Sequence, residues 1–143
     1  MAPPSDRFKP IQKIALHKER KAAAALGESL KTREAAMQRL DELRQYLAEY
    51  QERFARAARN GLSSSQILEY QVFISKLETA IAQQEGNVAR TQKNCDSSKA
   101  DWRGRYTKSK AMDNAVGRMI DEERRSDDRK EQSDNDEHGQ RKR

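Results

Sequence analysis

The sequence predicts an all-α fold, a long antiparallel two-helix coiled coil closed into a helical hairpin. Three observations predict it. First, apolar residues recur at alternating steps of three and four in two stretches: Leu40, Leu43, Leu47, Tyr50 and Phe54, then Ile67, Tyr70, Ile74, Leu77, Ile81 and Val88, with Gln84 filling the gap. That spacing puts them on one helix face, and a sustained heptad makes the face a coiled-coil seam. Second, Asn60-Gly61-Leu62-Ser63-Ser64 stands between the stretches as a turn signal. Third, the 143 residues are only 34% hydrophobic and 6% aromatic but 36% charged. That is lean for a compact globule, yet enough for a seam that uses about two positions in seven.

Taken in order, residues 1–9 read as irregular. Pro10 suits the first turn of a helix, where its missing N–H costs nothing. From Ile11 to about Ala58 nothing forces a break, and about 50 residues of helix would run about 75 Å. Ala22-Ala23-Ala24-Ala25 has the strongest helix propensity in the chain, and Gly27 costs about 1 kcal/mol without ending a helix. Backward from Leu40 the seam register falls on Ala36, Arg33, Ser29, Leu26, Ala22, Glu19, Ala15 and Gln12. Leu16, Leu30 and Met37 lie beside it, which implies either a local change of winding or a surface for a partner.

Asn60 and Gly61 tolerate the left-handed conformation that closes a helix. Ser63, Ser64 and Ser65 offer oxygens to cap the next one. Glu69 comes four residues after Ser65, one too many for a capping box. The second helix is expected from about Gln66. Its register continues from Val88 through Thr91, Cys95, Ser98, Trp102, Arg105, Ser109, Met112, Val116 and Met119, softened at Gly86 and Gly104. Folding about the turn sets Phe54 against Tyr70, Tyr50 against Ile74, Leu47 against Leu77 and Leu43 against Ile81. The same register sets Leu26 against Ser98, Ala22 against Trp102 and Phe8 against Val116. The hairpin thus spans 10–120, with its turn near 59–65. The segment 121–143 holds no apolar residue and is expected to be frayed or disordered alone.

Most chemistry is excluded. The net charge of +6 comes from 29 basic and 23 acidic residues that are interspersed, as on a solvated helix surface and unlike a nucleic-acid footprint. No nucleic-acid partner is expected. The single cysteine, Cys95, falls on the seam and reads as a small core residue, with no disulfide available. The first residues lack the apolar run of a signal peptide. The longest apolar stretch, Ala22 to Leu26, is far short of a membrane span. The expectation is a cytoplasmic protein without direct membrane insertion. His17 and His138 are far apart, and no residue set resembles a metal site or a phosphate loop. Asp134, Asp136 and Glu137 sit in a polar tail, and Glu122 and Glu123 lack an apolar pocket to shift a pKa. A two-helix rod has no substrate-sized cavity. Neither cofactor, metal nor catalysis is expected.

One pattern exceeds what a seam requires. Leu43, Tyr46 and Tyr50 follow at steps of three and four beside Leu40, Leu47 and Phe54. Phe73, Leu77 and Ala80 do the same beside Ile74 and Ile81. The stripe is wider than two helices cover. Tyr46 and Phe73 fall at or outside the seam edge, either as a protein-binding patch or as flanks that shield the seam.

These residues also carry a resemblance. The run from Arg39 through Leu43, Tyr46 and Tyr50, the turn Asn60-Gly61, and the run Tyr70-Gln71-Val72-Phe73-Ile74 through Leu77, Ala80 and Gln84 resemble the FliJ family of flagellar export proteins. Trp102 with Lys108, Lys110, Ala111 and Met112 fits too, as does Asp136-Glu137 in a basic tail. The resemblance implies a non-enzymatic component of the flagellar type III export apparatus. It implies a coiled coil similar to the γ stalk of rotary ATP synthases. The terminal segments would enter the ring of the hexameric export ATPase FliI and promote its assembly. The hairpin end would contact the export gate protein FlhA, and the protein would also handle export chaperones. It would be cytoplasmic, peripheral at the inner membrane through that apparatus. The gate-binding face carried over falls on Arg39, Leu43, Tyr46, Tyr50, Phe73, Leu77, Ala80 and Gln84. A homologous stalk of a virulence type III secretion system and an unrelated coiled-coil scaffold are the alternatives. No single ATPase-facing residue carries over; the N-terminal segment and the stretch after Trp102 are the candidates.

Overall fold

The computed structural model describes residues 2–141, and the chain is an all-α helical hairpin. Helix α1 spans Pro4–Asn60 and α2 spans Ser64–Arg141, packed against each other, with no strand among the described residues. Two compact units are distinguished along it: a hairpin unit, Ala25–Lys99, and a terminal unit that joins α1 up to Ala24 with α2 from Ala100 onward.

The heptad read from the sequence is the one the helices use. On α1 the positions 12, 15, 19, 22, 26, 29, 33, 36, 40, 43, 47, 50 and 54 are all buried or half-buried. On α2 the same holds from Ile67 to Met119. Phe8, which the register set against Val116, is half-buried too, and both series run further than expected, to Ser5 on α1 and to Glu123 and Ser126 on α2.

In the hairpin unit the core is a cluster of Leu40, Leu43, Leu77 and Ile81, with Leu47, Tyr50, Ala80 and Val88 packed on it. Toward the other end of this unit the seam turns polar; Thr91 bonds the Val88 carbonyl of its own helix (2.9 Å), the buried Arg33 Nε has no partner among the described residues, and other groups pair across the seam. Gln84 Nε2 donates to the Ala36 carbonyl (2.9 Å). The Cys95 thiol donates to the Ser29 carbonyl (3.0 Å), and the Ser29 and Ser98 hydroxyls share a bond of 3.0 Å. Cys95 is thus a buried core residue, as its register implies. Such paired seam groups fix register at some expense in stability.

The turn differs in detail from the expectation. Gly61 has φ of 92°, and no other described residue has a positive φ, so glycine alone makes the left-handed stop. Ser63, not Ser65, caps α2. Its hydroxyl accepts from the Gln66 N–H (3.2 Å), while Gln66 Oε1 accepts from the Ser63 N–H (3.0 Å). This is a full capping box, with glutamine in the place where glutamate was sought. It starts α2 at Ser64, two residues before the expected Gln66.

The terminal unit departs more. The segment 1–9 was expected to be irregular, but α1 begins at Pro4 and Pro10 lies inside it. Pro4 takes the first helical position, where its missing N–H is harmless. A carboxylate from α2 then secures the end. Glu123 Oε1 accepts from the Ser5 backbone N–H (2.9 Å), and its Oε2 accepts from the Ser5 hydroxyl (2.7 Å). An anion at a helix N-terminus satisfies an orphan donor and meets the positive end of the helix dipole. Gln12 with Asp113 (2.8 Å) and Trp102 Nε1 with Glu19 (2.9 Å) bridge the same unit, around buried Ala22, Ser109 and Val116.

Beyond Ser126, where fraying or disorder was expected, α2 continues as helix through Arg141, and its side chains from Asp127 to Gly139 are exposed. Its Arg, Lys, Glu and Gln residues are good helix formers, and backbone bonds within a helix require no apolar partner. Lys142 and Arg143 lie outside the described residues.

Candidate interaction surface at the hairpin end

The hairpin end carries the stripe that is wider than a seam. The seam residues Leu40, Leu47, Phe54, Ile67, Tyr70, Ile74, Ile81 and Val88 are buried or half-buried. Phe54 meets Tyr70 with ring centroids 5.3 Å apart, as the register requires.

The eight residues of the implied face do not share one environment. Leu43 and Leu77 are buried in the central cluster, at 8% and 9% exposure. They hold the helices together and present almost no surface, which corrects their placement on a contact face. Ala80 and Gln84 are half-buried, and the Gln84 amide is committed to the Ala36 carbonyl. Arg39 is exposed and bonds Glu42 one turn on (3.4 Å). At more than half exposure on both sides, that pair contributes little.

Three residues come together at the surface. Tyr46 is 54% exposed and Phe73 37%, with half-buried Tyr50 between them. The rings of Tyr46 and Tyr50 lie 6.2 Å apart and nearly parallel; those of Tyr50 and Phe73 lie 4.2 Å apart. Tyr50 is thus braced by the core on one side and supports two exposed rings. The Arg53 guanidinium stands 5.3 Å from the Tyr50 ring, within cation–π range. Tyr50 and Phe73 form one wall of a shallow groove of about 590 Å³ that Leu62, Glu69 and Tyr70 also line.

Phe73 is shared with a second hollow of about 320 Å³, formed with Leu68, Val72 and Lys76. Leu68 is 60% exposed and Val72 47%. Sequence reasoning passed over both, although the signal was present. They are apolar, one turn apart, and off the heptad; the same test had singled out Leu16, Leu30 and Met37, which are exposed as well.

On α1, Glu52 is held below the usual carboxylate range by a hydrogen bond from Arg56 and by that residue's charge. Both are exposed members of an i,i+4 pair. Among the described residues no group of three His, Cys, Asp or Glu side chains gathers as a metal would need. Nor is any helix among the described residues long and apolar enough to cross a membrane. What the arrangement offers is recognition: rigid aromatic anchors, one backed by core, beside an open groove.

In comparison with known proteins, a family described as Flagellar FliJ protein matches residues 4–142 of the chain. No curated protein matches it.

Proposed function

Since the chain belongs to the FliJ family, and so to the components of flagellar protein export, we propose that it acts there as a non-enzymatic central stalk. In this reading the terminal unit engages the hexameric export ATPase and promotes assembly of its ring. The hairpin unit contacts the export gate protein, and the protein also takes part in handling export chaperones. It works in the cytoplasm, held at the inner membrane through that apparatus. The observation that carries the reading is the exposed ladder of Tyr46, Tyr50 and Phe73 at the hairpin end of a chain matched to the family over almost its whole length.

The test is co-purification with the export ATPase and with the cytoplasmic region of the gate protein, using the full chain and a truncation after Ile120. The full chain is expected to capture both. The truncation removes Glu123 and with it the cap on α1, so it should lose the ATPase and keep the gate. If the full chain captures neither, the stalk reading fails.

A further inference from the structure

The terminal unit carries a second surface, made of different chemistry. Ile11 and Ile14 on α1 are 46% and 55% exposed. With Met112 of α2 they line a narrow groove of about 140 Å³ whose other lining includes Lys18, Arg105 and Lys108. Every charged residue in that lining is basic. Arg105 reaches Asp101 at 3.6 Å. Lys18 and Lys108 make no ion pair among the described residues.

The sequence extends the pattern along α1. Arg7, Ile11, Ile14, Lys18 and Lys21 follow at steps of four, three, four and three. That spacing keeps them on one edge of the helix, with apolar residues in the middle and cations at both ends. The edge lies off the heptad, so hairpin packing does not require these residues to be apolar. Two exposed isoleucines a turn apart are a cost in water that burial against a partner would remove.

We infer that this groove binds an acidic amphipathic helix of another protein. A concave apolar strip between two helices takes a third helix, whose apolar residues at steps of three and four meet Ile11, Ile14 and Met112. The basic rim then demands Glu or Asp on the flanks of that stripe. The run from Arg7 to Lys21 is about 20 Å long, which matches about four turns of a partner helix. A membrane surface is the other body that basic and apolar groups fit, but it is flat, and the isoleucines line a recess. The groove lies in the terminal unit that the stalk reading gives to the export ATPase, but the inference rests on the groove's own lining and stands or falls with the peptide titration alone.

The experiment titrates the full chain with a synthetic helical peptide of about 18 residues, Leu at heptad spacing and Glu elsewhere, followed by calorimetry. Two control peptides replace Glu by Lys, or Leu by Gln. The acidic amphipathic peptide should bind, with affinity falling as salt rises, and both controls should bind at least about tenfold more weakly. Lys18→Glu combined with Lys108→Glu should lose at least about tenfold in affinity, and so should Ile14→Ser. All three positions are exposed, so far-UV circular dichroism should be unchanged. Equal binding of the Lys or Gln peptide, or unchanged affinity in both variants, overturns the inference. So does tighter binding to anionic phospholipid vesicles than to the peptide.

Discussion

Leu43 and Tyr46 stand three positions apart on α1, and both belong to the stripe read from spacing. Leu43 is 8% exposed and sits in the central cluster, whereas Tyr46 is 54% exposed and touches Tyr50. Spacing reports the side of a helix a residue faces, not how deep it lies there. Leu43 and Leu77 were therefore legible at once as seam partners of Ile81 and Leu47 and as members of the wider stripe, and burial decides for the seam. The two positions therefore separate stability from binding. Leu43→Ala should cost about 2–5 kcal/mol in a urea melt, because a fully packed leucine leaves a cavity. Tyr46→Ala should stay within about 0.5 kcal/mol of the wild type, as surface changes do. Leu47 is only half-buried, so Leu47→Ala should fall below Leu43→Ala. The reverse order would mean that the helices are packed one heptad position away from the present register.

At the scale of the elements, the interior of each helix was legible and the ends were less so. A seam repeats every seven residues and so announces itself many times, while a cap is a single event. The stop at Gly61 was readable, because only glycine takes that backbone angle without strain. The start of α2 was missed by two residues because Gln66, not a glutamate, closes the box with Ser63. The start of α1 is fixed by Glu123, 118 residues away, and no local rule finds such a partner. The capping box predicts that Ser63→Ala costs about 1 kcal/mol, measured by chemical denaturation. In the opposite direction, Gly86 lies exposed in mid-helix, and a Cβ there meets nothing within 4 Å. Gly86→Ala should raise stability by about 1 kcal/mol. A loss would show that the glycine serves a purpose other than packing.

For the whole molecule, candidate contact surfaces were legible where sequence and seam disagree. Residues that are apolar without being on the heptad have no use inside the hairpin. In the hairpin unit they include Tyr46, Leu68, Val72 and Phe73, with Leu30 and Met37 toward its other end; in the terminal unit they include Ile11 and Ile14. The chain thus has two exposed apolar surfaces in two units, one aromatic and one rimmed with cations. The polar stretch of the seam, from Gln84 to Ser98, shows why burial alone was a poor guide. Gln84, Cys95 and Ser98 are satisfied across the hairpin, and Thr91 within its own helix, rather than by a partner. The central claim is that the aromatic ladder is a binding surface and not a shield for the seam. It is tested most directly by measuring binding of the gate protein's cytoplasmic region to the wild type and to the Tyr46→Ala, Phe73→Ala double variant, with circular dichroism and ATPase-ring capture recorded alongside. Gate binding should be lost in the double variant while the helical spectrum and ATPase capture remain. A double variant that stays folded and binds the gate as tightly as the wild type would contradict it.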